Sequence, residues 1–293
     1  MKLLGTVIVY LCATLYGGVC KAQKSSKQQM PEGQSVEKMP VATRWTYDAT
    51  PATERNGVTT VLILACPQTQ MKGTGFVING GIVVTNAHVL KGCSAEQLVG
   101  MTTFGTPVSF VKAVTDANVD LALLKPVQSL GNGLELAETD NLLIGSPIYT
   151  WGFPLNFNGP APLLSTGFLS GFTEDGVGAV KVKHLIIDGA INPGNSGGPV
   201  FLAGSSKVVG IVVAKFLPYS PAVEQIIGAM ANSSSGFLYA SQLPDGSKKT
   251  YSEGQLVAEV LQEYYNGTQV MIGEAINVSE LKSLVAAHAR ELD

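Results

Sequence analysis

The stretch Asp188-Gly-Ala-Ile-Asn-Pro-Gly-Asn-Ser196-Gly-Gly-Pro-Val200 surrounds one serine with backbone that can turn sharply and meet an anion at close range. Gly194 precedes the serine, and Gly197 and Gly198 follow it. Lacking Cβ atoms, these positions let a carbonyl group lie directly against main-chain N–H donors, which is how an oxyanion-binding turn is built. Ser196 is therefore the candidate nucleophile, in a loop shaped by Asn192 and Pro193. Taken alone, the stretch also satisfies the G-x-S-x-G pattern of a strand-turn-helix elbow, so the surrounding sequence has to decide the fold.

Working outward, short β-type runs punctuated by Gly, Pro and Asn dominate. Val58 to Cys66, Gly75 to Ile78, Ile82 to Val84, Gln97 to Phe104, Val108 to Thr115 and Leu121 to Val127 form one series. Ser146 to Trp151, Leu163 to Leu169, Val180 to Ile187, Pro199 to Leu202, Val208 to Lys215 and Gly236 to Ala240 form a second. No long amphipathic helices alternate with these runs, as a parallel βαβ sheet requires. Two sets of six strands predict an all-β core of two six-stranded antiparallel β-barrels, at about 57–130 and 140–243, within a domain spanning 51–245. Helical periodicity is confined to an extension at 246–293. There Leu256, Val257, Val260, Leu261 and Tyr264 share a face expected to pack, and a capping-box-like start at Asn277 and Glu280 precedes Leu281, Leu284 and Val285.

With 293 residues, 45% of them hydrophobic and 14% charged, the chain is too apolar for disorder, and a net charge of -3 offers no footprint for a nucleic acid backbone. Residues 1–22, Met-Lys followed by an apolar run, read as an export signal with cleavage after Ala22, so the protein is expected to be secreted or periplasmic, without a stable membrane span once the signal is removed. Residues 23–50, rich in Lys, Gln, Ser and Pro at their start, read as a flexible linker. Cys12 and Cys20 fall in the signal, leaving Cys66 and Cys93, which an oxidising compartment allows to pair; two buried thiols are the alternative.

Acyl transfer by a serine needs a base to take its proton, a carboxylate to orient the base, and donors for the developing oxyanion. His88, in Thr85-Asn-Ala-His88 at the end of a strand, is the candidate base. Asp120, at the mouth of the apolar run Leu121-Ala-Leu-Leu124, is the candidate orienting carboxylate. The three histidines are dispersed without ligand spacing, so no metal site and no cofactor are expected, and His184 reads as a strand residue.

The order His88, Asp120, Ser196, together with Gly73-Thr-Gly-Phe76, Gly152-Phe-Pro154 and Ile191-Asn-Pro-Gly-Asn-Ser-Gly-Gly-Pro199, resembles the trypsin-like serine peptidases of the HtrA-type branch. The resemblance covers about 57–243 and implies a chymotrypsin-like double β-barrel with the triad between the barrels. It implies the N–H groups of Gly194 and Ser196 as the oxyanion hole, and proteins or peptides as substrates. Ala190, six residues before Ser196, would floor the primary pocket without charge, and Val212, Val213 and Ala214 would line the strand receiving the peptide, so cleavage after small or medium aliphatic residues is expected.

Departures from the family pattern carry their own expectations. Val89 stands where the digestive members have a cysteine, and Asn195 stands where they need an Asp to hold a freed N-terminus. After about residue 250 the chain offers only the two helices, so control by a peptide-binding PDZ module is not carried over. Two rivals stay open: an α/β-hydrolase using Ser196 with Asp245 and His288, and a secreted peptide-binding protein that keeps the peptidase fold without catalysis.

Overall fold

The computed structural model describes residues 35–69, 71–138, 142–155, 157, 159–175, 180–215, 221–242, 246–267 and 271–292. The expected signal at 1–22 lies outside the described residues. Two helices, α1 (Val41–Ala49) and α2 (Arg55–Thr60), lead into a sheet made of β1 (Val61–Cys66), β2 (Met71–Val77), β3 (Val83–Thr85), β4 (Val99–Thr102), β5 (Pro107–Val108), β6 (Phe110–Asp116) and β7 (Leu121–Pro126). A second set follows: β8 (Pro147–Gly152), β9 (Leu163–Asp175), β10 (Val182–Gly189), β11 (Pro199–Leu202) and β12 (Val208–Lys215). After it come α3 (Pro221–Ala231), the hairpin β13 (Leu238–Gln242) and β14 (Lys248–Ser252), α4 (Glu253–Gly267), β15 (Ile272–Asn277) and α5 (Val278–Leu292).

The all-β core holds, with changes in how it closes. The first sheet runs β5-β4-β1-β2-β3-β7-β6 and is a half-barrel, its two edge strands unpaired with each other among the described residues. The second is a closed barrel in the order β10-β15-β12-β11-β8-β9. Its sixth strand is β15, not the expected Gly236 to Ala240, and therefore lies beyond the boundary expected at 245. Every residue of β13 is exposed, so that segment cannot line a barrel, and it pairs only with β14. In β15 Ala275 points into the barrel with Leu185, Ile187 and Val212, while Ile276 is buried on the other face with Val278 and Leu281. A strand buried on both faces does not alternate, which hid it among helical signals.

Two further expectations change. Residues 41–49 are helical rather than flexible. Arg55 holds this helix, its Nε donating to Thr50 O at 2.9 Å while its guanidinium lies over the Tyr47 ring, and Met39 and Thr43 are buried. The expected packing stripe of α4 is largely in solvent, with Val260 61% and Tyr264 74% exposed, whereas Ala258 is buried on the face toward α3. By contrast α5 packs as expected through Leu281 and Leu284. Asn277 Oδ1 accepts from Ser279 N–H at 2.9 Å, but the Glu280 carboxylate turns away from the cap toward the Lys183 N–H.

One charged pair sits between barrel strands. His184 of β10 meets Glu274 of β15 in a close ion pair, their side chains 14% and 18% exposed. The hydrogen bond to Glu274 raises the imidazole pKa above its ordinary value of 6.5 against the opposing effect of burial, and the charges of Glu274, Asp175 and Glu280 add to it. A raised folded-state pKa stabilises fully below the unfolded value and is lost as pH rises through the folded one. Melting temperature is therefore expected to fall as pH is raised from about 6 through the neutral range, and His184→Gln is expected to flatten that dependence in a pH series of thermal melts. An unchanged slope in the variant would remove His184 as its source.

Candidate active site

His88 sits in a single 3-10 turn, Ala87–Leu90, entered from β3, and Asp120 in the tight connection from β6 to β7. The two strands flanking this site pair directly, Thr85 opposite Ala122, which brings the turn and the connection together. Asp120 Oδ2 lies 2.7 Å from His88 Nδ1, and Asp120 Oδ1 accepts from the His88 main-chain N–H at 2.9 Å. Asp120 O accepts from Ala87 N–H at 3.2 Å and from Asn86 Nδ2 at 2.9 Å. An ionised carboxylate only accepts, so it calls for the proton on Nδ1 and leaves Nε2 with a free lone pair. Among the described residues Asp120 is the one non-glycine with positive φ, at 58°. Asp tolerates this left-handed conformation better than most residues, and here it lets carboxylate and carbonyl grip the same three residues.

Ser196 lies in the loop between β10 and β11, and each carbonyl around it is turned toward a donor. Asn192 O accepts from Asn195 N–H at 3.0 Å, Pro193 O from Leu155 N–H at 2.9 Å, Asn195 O from Gly198 N–H at 2.9 Å and Ser196 O from Thr74 N–H at 2.9 Å. Gly194 O accepts from Thr74 Oγ1 at 2.7 Å. Across a trans peptide the N–H points opposite to the carbonyl, so these bonds leave the N–H groups of Gly194 and Ser196 facing away from them. Neither has an acceptor among the described residues. Ser196 Oγ donates to Val213 O at 2.9 Å.

Glycine is required in this loop for space as well as conformation. Gly194 has φ 95°, and a Cβ there would run into Phe153 O and Leu155 N. At Gly197, with φ 84°, a Cβ would overlap Thr74 O and Thr85 Oγ1. Gly73 belongs to the same contact, since its Cβ would meet Val89 and, at 3.1 Å, Ser196 O.

The remaining expected site residues fall around this centre. Ala190 is half-buried where β10 enters the loop. Val213 is half-buried, and Ala214 pairs with Glu274 of β15. Val212 has its side chain fully buried in the barrel, and its main chain bonds Gly197 N–H and Gly198 O. Cys66 and Cys93 are bridged, tying the end of β1 to the residues just after the His88 turn. A cavity of about 440 Å³ lined by Ala65, Cys66, Pro67, Met71, Lys72 and Leu155 opens beside the loop. Of the α/β-hydrolase candidates, His288 pairs with Glu291 in α5 at 2.8 Å and Asp245 lies outside the described residues. Ser196 also leads into a strand, not a helix, which rules out the elbow.

Away from the site, Asp175, His184 and Glu274 bring potential metal-ligand atoms within 4.8 Å of one another. Thr74, Thr85 and Asn86, quoted in the sequence only as motif neighbours, prove to be the polar supports of the loop and the His88 turn. Their signal was position next to the candidate residues; their partners are remote in sequence.

Residues 73–211 match the family described as the trypsin-like peptidase domain. The match spans 139 of the 293 residues, and over that part the chain is similar to a trypsin-like peptidase domain. It is 35% identical over 149 residues to the putative serine protease HhoA of Synechocystis sp., covering 49% of this chain and 36% of that protein. It is 31% identical over 140 residues to a probable periplasmic serine endoprotease, DegP-like, of Halomonas elongata, covering 47% and 28%. The matched part thus spans about a third of the length of these relatives. The crystal structure of the Rv3671c protease in its inactive form superposes with a TM-score of 0.53 at 16% identity, covering 80% of this chain and 92% of that one. The HtrA-type protease AlgW with a decapeptide gives 0.53 at 18%, covering 82% and 67%, and both likenesses are of fold.

In the Ser196 loop the demand for glycine is testable without any assay of activity. Gly197→Ala combines a disfavoured positive φ with a collision against two oxygens, so it is expected to lower the unfolding free energy by about 2 kcal/mol or more in urea titration. A variant of wild-type stability would mean that the loop relaxes freely.

Proposed function

We propose that the protein is an exported serine endopeptidase working through His88, Asp120 and Ser196. In this reading Ser196 Oγ leaves Val213 O, gives its proton to His88 Nε2 and attacks the peptide carbonyl carbon. The carbonyl oxygen becomes an oxyanion received by the N–H groups of Gly194 and Ser196, each donor worth on the order of 3 kcal/mol in the transition state. His88 then passes the proton to the departing amine, the C–N bond breaks, and an acyl-enzyme remains. Water attacks that ester with His88 again as base, releasing the acid and restoring Ser196. Asp120 holds the Nδ1 proton and stabilises the imidazolium.

The observation that carries this reading is the pair of opposed constraints at one site: a carboxylate fixing His88, and a loop whose carbonyls are all engaged while two N–H groups are left over. Substrates are proposed to be proteins or peptides, and export is supported by the apolar residues 3–19 and by the periplasmic name of the Halomonas relative. A fluorophosphonate probe is expected to label Ser196 in the folded protein and to lose its label in Ser196→Ala and His88→Ala. Folded protein that hydrolyses no peptide and stays unlabelled would favour a silent peptide-binding protein on the same fold, the reading in which the Ser196 bond to Val213 O is permanent.

Specificity follows from an uncharged pocket floor. Ala190 brings no carboxylate, and Ile191 is buried against Gly273, where a Cβ would collide with the isoleucine side chain. Peptide-library profiling is expected to show cleavage after small or medium aliphatic residues. A dominant Lys or Arg at that position would overturn the assignment of the pocket.

A further inference from the structure

We propose that Thr74 is a positioning residue whose hydroxyl, reaching across from the first sheet, sets the orientation of the Gly194 N–H. The inference rests on the reading of Ser196 as nucleophile and of Gly194 as an oxyanion donor. Thr74 is fully buried in β2, and all of its polar groups are committed. Its Oγ1 donates to Gly194 O at 2.7 Å and accepts from Phe153 N–H at 3.1 Å, while its N–H holds Ser196 O and its carbonyl accepts from Thr85 Oγ1 at 2.8 Å.

Among the described residues that donate to the carbonyls of residues 192–196, the Thr74 hydroxyl is the one side chain; the others are main-chain N–H groups. Within residues 192–196 Gly194 is also the position with least intrinsic resistance to rotation, because it has no Cβ. The Gly194 N–H belongs to the Pro193–Gly194 peptide, so release of Gly194 O would free the Gly194–Asn195 peptide on one side of the Gly194 Cα and leave the peptide that carries the N–H held at Pro193 O alone. Through Phe153 the same hydroxyl steadies the turn whose Leu155 N–H holds Pro193 O. Its geometry has little slack: the single hydroxyl proton goes to Gly194 O, the lone pair to Phe153 N–H, and the β-branched side chain has restricted χ1. The nucleophile loop belongs to one barrel, yet its shape is held by a residue of the other half of the domain.

The test compares wild type with Thr74→Val, Thr74→Ser and Thr74→Cys in the full mature chain, with melting curves to confirm folding. Readouts are kcat and KM on a cleaved peptide and the affinity of a peptide boronate, whose tetrahedral adduct needs the oxyanion donors. Thr74→Val is expected to lower kcat by ~30-fold with KM within ~2-fold, and to weaken the boronate by a similar factor, since a mispointed donor is lost only in the transition state. Thr74→Ser, which keeps the hydroxyl, is expected to stay within ~3-fold of wild type, and Thr74→Cys, a weaker donor, to fall between. Folded Thr74→Val with wild-type kcat, or with boronate affinity unchanged, overturns the proposal. Should Thr74→Val not fold, Thr74→Cys matching Thr74→Ser in kcat overturns it. Indifferent Thr74 variants in an active protein sink this proposal alone, whereas a wild type that neither cleaves peptides nor takes the Ser196 label overturns the peptidase reading and this one with it.

Discussion

Main-chain hydrogen bonds from Ser196 to Gly198 into both halves of the domain are the constraint on which the site depends. Ser196 O is held by Thr74 N–H of β2, while Gly197 N–H and Gly198 O are held by Val212 of β12. One short segment is thus stitched to the half-barrel on one side and to the closed barrel on the other. The stitching works only at van der Waals contact between backbones, which is why Gly197 stands where any Cβ would push into Thr74 and Thr85 of the other half, and Gly73 where one would crowd Ser196 O as well as Val89. Trp151, Phe76 and Phe201 join a single apolar cluster drawn from both halves, so burial of nonpolar surface supports the same junction.

The other half of the site depends on a different device. Asp120 grips the residues from Asn86 to His88 with its carboxylate and its carbonyl together, and its positive φ is the backbone cost of doing both. Beyond His88 the same turn is secured by the bridge between Cys66 and Cys93. Imidazole orientation is therefore set by the first sheet alone, and the Ser196 loop by both halves. Relative movement of the halves would disturb the Ser196 loop more than the pairing of His88 with Asp120.

Between β12 and β15 the chain makes a detour through two helices and a hairpin before returning to close the barrel. These elements contact one another more than the barrel, and apolar side chains such as Ile226, Phe237 and Val260 face outward. The barrel tolerates the excursion because its edges, left open by β10 and β12, are satisfied when β15 arrives between them.

Local sequence was a good guide wherever chemistry is written in adjacent residues. The glycines around Ser196, the histidine at a strand end and the aspartate before an apolar run each stood out through immediate neighbours, and most strands showed as runs of β-branched residues between turn formers. Of Gly236 to Ala240, read as a barrel strand, only Leu238 to Ala240 is strand, and it belongs to the separate hairpin sheet. Ile272 to Asn277 carried no alternation because both of its faces are covered. The sequence by itself determined an all-β core and the residues available for chemistry, since propensity and turn geometry act over a few residues. Only the tertiary structure decided which strand closes the barrel, that Val212 faces the core, and that Thr74 holds Gly194, because each depends on which distant backbone group remains unpaired when the sheets assemble.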